Sequence, residues 1–209
     1  MKNLKKYLLL FFMLLSVSIF AQTQSSGTSA REAANKGKAE LLKVLSDSKE
    51  FNLGVTASDV EGSEVGNPVE ELTADFKSLV NNQNSNLSTI SSRTERLIFP
   101  LVKNDKVVTI ITVASTPKRY KAVELANRQY TSELNQITRA TSFQGLKLIL
   151  VPNINAAVYV MDDRAFTSYN GRSIREATSL SDLTAELQKD AREFDVKFGE
   201  ELRKGKLVR

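Results

Sequence analysis

Leu97–Ala114 reads LIFPLVKNDKVVTIITVA, two β-rich apolar runs around a four-residue polar break. Strands joined this closely cannot be parallel, because a parallel pair needs a crossover of about a dozen residues or more. Asn104 and Asp105 tolerate the left-handed backbone of a tight hairpin turn. The stretch therefore commits the chain to an antiparallel hairpin. Its second run, Val107–Val113, is apolar almost throughout, as a strand covered on both faces is. That places Ile110 in the core of a central strand. Pro100 has no N–H for a ladder, which places its strand at a sheet edge or beside a bulge.

Other segments surround this hairpin with helices. Ser29 and Glu32 have capping-box spacing, and Ala30, Ala33, Ala34, Leu41, Leu42 and Leu45 form an apolar face to about Ser46. Gly37 weakens that helix by about 1 kcal/mol relative to Ala. Residues 47–66 read as loop, with a short helical turn after Thr56; their acids Asp59, Glu61 and Glu64 lack the spacing of a calcium loop. Asn67-Pro68 reads as a helix entry, followed by Val69, Leu72, Phe76 and Leu79 at helical spacing. The polar run NNQNSN then begins at Asn81. Thr116-Pro117 reads as a second such entry, with Tyr120, Val123, Ala126, Tyr130, Leu134 and Ile137 as one stripe of a helix to about Thr138. Arg128 and Glu133 fall on its opposite, solvated face. Leu146–Val151 and Ala156–Met161 are β-runs. Phe166–Tyr169 is a further strand ending in the hairpin signal Asn170-Gly171. A long closing helix carries Leu180, Leu183, Leu187, Ala191, Phe194, Phe198 and Leu202, with Gly205 as its stop.

The expected class is α+β: an antiparallel sheet of four or five strands packed with helices, in the order α-α-β-β-α-β-β-(β)-α. That order is similar to the layout of PAS/Cache-like sensor domains and of roadblock/profilin-like domains. The similarity is one of element order and carries no site residue.

The N-terminus constrains location. Lys2, Lys5 and Lys6 precede an apolar run from Leu8 to Phe20, and Ala21 is a small residue at a plausible cut. This is the pattern of a secretory signal peptide, residues 1–21. The run is shorter than the roughly 20 residues a spanning helix requires. Residues 22–28 read as a flexible lead and residues 29–209 as one domain. The expected location is periplasmic or secreted, with no transmembrane segment after cleavage. Loss of the leader removes three of the 29 basic residues, leaving 26 against 24 acidic ones, a net charge of +2. The charges are interspersed, so nucleic acid is not an expected partner. The one basic cluster, Arg203, Lys204, Lys206 and Arg209, suits a helix C-terminus.

The chain has neither His nor Cys. Imidazole- and thiolate-based catalysis is therefore excluded, and a transition-metal site is not expected. No glycine-rich phosphate loop occurs, and no cofactor is implied. Asp162 and Asp163 read as turn chemistry rather than an acid/base pair, because neighbours in extended chain point to opposite faces. Tyr159, Phe166 and Tyr169 are the candidate ligand-binding residues, as the lining of a pocket for a small apolar or aromatic group. The functional expectation is a non-catalytic binding or interaction domain, for an unidentified ligand or protein partner. The alternative is a metal-independent hydrolase using carboxylates or a Ser–Lys pair.

Overall fold

The hairpin forms as β3 (Ser91–Lys103) and β4 (Lys106–Ser115), in register from Arg96↔Ala114 to Lys103↔Lys106. Asn104 and Asp105 take φ of 51° and 60°, the left-handed values the turn requires. The computed structural model describes residues 29–47, 52–82, 86–137 and 143–204. The leader, the lead 22–28, Thr138, Gly205, Lys206 and Arg209 lie outside these residues.

Around the hairpin the sheet is larger than expected and is mixed. Its other strands are β1 (Glu64–Val65), β2 (Val69–Ala74), β5 (Tyr120–Glu124), β6 (Lys147–Val151), β7 (Ala156–Met161), β8 (Arg164–Phe166) and β9 (Thr178–Ser179). The order across the sheet is β5-β4-β3-β2-β6-β7-β8-β9, with β1 beside β3. The α+β class holds, but four or five antiparallel strands become nine among the described residues. One pair, β2 with β6, is parallel.

Three local readings change with it. Val69–Ala74 is a strand, and its helix is only α3 (Phe76–Asn81), capped by the Asp75 carboxylate, which accepts from Ser78 N at 2.7 Å. Interior strand β2 buries Val69, Glu71, Leu72 and Ala74, so no two-residue alternation marks it. Tyr120–Glu124 is edge strand β5, and the helix begins later as α4 (Arg128–Ile137), where Asn127 Oδ1 accepts from Tyr130 N at 2.9 Å. Val123, on the outer side of that edge, is 53 % exposed and supplied a false member of the stripe. Tyr169–Gly171 is a 3-10 turn rather than a hairpin; the two-residue turn lies earlier, at Asp162-Asp163. Pro100 sits in an interior strand. Its carbonyl accepts from Gly66 N at 2.8 Å, so its missing N–H faces the break between β1 and β2, one residue from a register shift.

The remaining helices are α1 (Ala30–Asp47), α2 (Ala57–Glu61) and α5 (Leu180–Arg203). The capping box of α1 forms reciprocally: Ser29 N donates to Glu32 Oε2 at 2.7 Å and Glu32 N to Ser29 Oγ at 3.2 Å. Strand alternation separates two faces. Ile98, Ile110, Leu148 and Tyr159 pack with Leu134 and Ile137 of α4. On the opposite face Phe99, Ile111 and Val113 pack with α1, and Ile149, Val158 and Val160 with α5. Beyond the buried stripe of α5, Phe194 stands edge-on to Phe76, with ring centroids 5.8 Å apart. Among the described residues no helix is long and apolar enough to cross a membrane.

Candidate functional site

The α4 face of the sheet is not purely apolar. Glu71 on β2, Arg96 on β3, Thr112 on β4 and Glu124 at the end of β5 share it with Ile98 and Tyr159. Arg96 lies between two of the acids, with Nε 3.5 Å from Glu71 Oε2 and Nη2 3.4 Å from Glu124 Oε2. Glu124 also accepts from Thr112 Oγ1 at 2.8 Å and from Asn127 Nδ2 at 3.0 Å. Glu71 accepts from Thr94 Oγ1 at 3.2 Å. The Arg96 Nε–H is buried with no hydrogen-bond acceptor, so that contact is an ion pair without a directed bond.

Glu133 comes down onto the same face from α4. It is 8 % exposed, not solvated as its place in the helical stripe suggested. The revised helix start explains this: without β5, the inward face of α4 is Tyr130, Glu133, Leu134 and Ile137, at spacings of three and four. Glu133 Oε2 accepts from the Tyr159 hydroxyl at 2.8 Å, and Oε1 from Gln129 Nε2 at 3.0 Å. Burial first, and then the Glu133 charge, hold the Tyr159 phenol well above its ordinary range.

Beside Glu133 opens a cleft of about 650 Å³. One wall is the first two turns of α4, with Gln129, Tyr130 and Glu133. The second is the β6–β7 connection, with Leu150, Ile154 and Asn155. The third is the loop Ser168–Asn170. That third wall is tied to α5: Asp190 Oδ2 accepts from the Tyr169 hydroxyl at 2.8 Å and from Asn170 Nδ2 at 3.0 Å. Glu186 accepts from Asn170 Nδ2 at 2.9 Å and pairs with Arg172, which holds its carboxyl below the usual carboxylate range. Burial and then the Asp190 bond push the Tyr169 phenol up. Tyr130 is raised as well, by burial and next by the charge of Glu71. Its hydroxyl makes no hydrogen bond with a described residue, which leaves an open polar group at the cleft.

Of the three sequence candidates, Tyr169 lines the cleft. Tyr159 is 1 % exposed and supports Glu133 from beneath; Phe166, its cross-strand partner, is fully buried in the α4 core. The structure therefore brings Tyr159 and Phe166 together and separates Tyr169 from them. Asp162 and Asp163 form the exposed β7–β8 turn, Asp162 at φ 55°. Sequence reasoning missed Glu71, Arg96, Glu124, Gln129, Tyr130 and Glu133 as a group. The one legible signal was Glu133, three residues after Tyr130 and four before Ile137. No protein-family model, curated protein or solved structure matches the chain.

Proposed function

We propose that the chain is an exported domain that holds a ligand or a partner's side chain in the cleft beside α4, with no turnover of its own. The observation that carries this reading is the chemistry of the lining. Among the described residues it contains a single carboxylate, Glu133, and Ser168 without a lysine. Acid/base hydrolysis by carboxylates uses two of them across the reacting bond, and a Ser–Lys pair needs its amine beside the hydroxyl. Glu133 is moreover held on both oxygens by neutral donors, a fixed geometry suited to recognition. Export rests on the residue pattern of positions 1–21.

Two measurements test the proposal. The mature N-terminus, read by mass spectrometry from an extracytoplasmic fraction, is expected near Gln22; an intact Met1 terminus in washed membranes overturns export. A screen of esters, glycosides, peptides and phosphates is expected to show no saturable turnover. Turnover that disappears in Glu133→Gln, or in the double change Asp162→Asn with Asp163→Asn, overturns the non-catalytic reading.

A further inference from the structure

Resting on that binding reading, we propose that the ligand of the cleft is an organic cation, an ammonium group seated against Glu133 in a cleft walled by Tyr130 and Tyr169. Glu133 is 8 % exposed, and both of its hydrogen-bond donors, Tyr159 and Gln129, are neutral. No Lys or Arg among the described residues lies within ion-pair distance of it. Buried charges are ordinarily paired, because desolvating a lone carboxylate is expensive. A carboxylate has about four acceptor sites, and the two described donors leave about half of them for a ligand.

The rest of the face does not supply the missing charge. Arg96 is engaged by Glu71 and Glu124. Together with Glu133 these make three carboxylates against one guanidinium, a net of two negative charges. Arg128, the nearest cation in sequence, turns away: its Nη2 donates to Asn52 O at 2.5 Å and to Asn52 Oδ1 at 2.7 Å. Among the described residues the lining itself contains neither Lys nor Arg. An anionic ligand would meet like charge with no counter-ion, so phosphates and carboxylic acids are disfavoured. A bare metal ion does not fit either. The cleft is about 650 Å³, and no group of three carboxylate-type ligands able to hold a metal occurs among the described residues. Aromatic rings do hold organic cations, best where water is partly excluded. Tyr130 and Tyr169 are both part-buried at the cleft.

The test is a titration of the purified exported chain, followed by calorimetry and by melting temperature. The panel contains primary alkylammonium salts, polyamines and quaternary ammonium salts, each matched to the alcohol and the carboxylate of the same carbon skeleton. At least one ammonium compound is expected to bind at least about tenfold more tightly than its matched alcohol and carboxylate, and more weakly as salt rises. Glu133→Gln, which keeps the side-chain shape, is expected to remove about tenfold or more of that affinity, the scale of a charge-assisted contact. Tyr130→Leu, which keeps apolar bulk and removes the ring, is expected to lose roughly threefold or more. The inference is overturned if no ammonium compound binds, or if binding is indifferent to Glu133→Gln in a protein that still melts cooperatively. Equal binding of the matched alcohol also overturns the cation assignment while leaving the cleft as a binding site. Turnover of a bound ammonium compound overturns the non-catalytic reading instead, and leaves the cation assignment standing.

Discussion

Gly37→Ala separates the sequence's own arithmetic from that of the folded protein. Gly37 lies in the middle of α1, where an isolated helix gains about 1 kcal/mol when Gly becomes Ala. In the structure, however, α1 rests on β4 and β5 through this residue. A Cβ at position 37 would stand 2.7 Å from Ile111 Cγ2 and 2.9 Å from Ala122 Cβ. Neither neighbour can easily give way. Ile111 is fully buried between strands, and the Ala122 Cβ moves only if β5 moves. Overpacking of a core contact costs about 1–3 kcal/mol. Subtracting the propensity gain leaves a net destabilisation of about 1 kcal/mol, or a fall in melting temperature of roughly 2–4 °C for a domain of this size. Gly199→Ala is the control. There the three atoms nearest the new Cβ all belong to the Asp195 carboxylate, the closest at 2.5 Å, the free end of a side chain that can swing aside. That change is expected to raise stability by up to about 1 kcal/mol. Both variants can be followed by thermal melting and by urea denaturation. If Gly37→Ala raises the midpoint as Gly199→Ala does, α1 does not make this close contact and the reasoning fails.

Ile110→Ala, at a fully buried position of β4, the interior strand next to edge strand β5, is expected to cost about 2–5 kcal/mol in urea denaturation. Asn104→Ala, in the turn at φ 51°, is expected to cost less, at most about 1–2 kcal/mol, because Ala lacks the short polar side chain by which Asn tolerates a left-handed backbone; an unchanged midpoint for Ile110→Ala would show the strand to be exposed. Tyr159→Phe leaves the buried Glu133 carboxylate without one donor and is expected to destabilise by roughly 1.5–3 kcal/mol, unless an ammonium ligand is added. Tyr130, Tyr159 and Tyr169 all have phenols raised above the ordinary value of 10.0. A raised phenol favours the protonated folded state, so its contribution is fully present below pH 10 and is lost as pH rises through the folded pKa values. Near-ultraviolet titration of tyrosinate is expected to lag behind that of the denatured chain above pH 10, with midpoint stability falling over the same range; superimposable titrations would count against the buried phenols.

Local chemistry was legible wherever two or three neighbouring residues decide the conformation. Asn104-Asp105 turned the hairpin, Ser29 and Glu32 capped α1, and the stripe from Leu180 to Ala191 buried α5, each because the responsible atoms lie within one or two turns of chain. Buried interior strands were harder. In β2 both faces are covered, so Val69 and Leu72, followed by Phe76 of α3, mimicked a helical period, and in β5 an exposed Val123 did the same. Parallel pairing of β2 with β6 depends on residues 77 positions apart, Glu70 with Lys147, which no local pattern encodes. The site shows the same division. Tyr169 was visible as an aromatic at the end of an expected strand, beside the Asn170-Gly171 turn signal. The environment of Glu133 was not, since a glutamate in a helix is ordinarily solvated. Only the packing of α4 across the sheet brings Glu133 over Tyr159 and leaves Arg96 to Glu71 and Glu124. A charge takes its meaning from what surrounds it in three dimensions, and along the chain those surroundings come from β2, β3, β5, α4 and β7 at once.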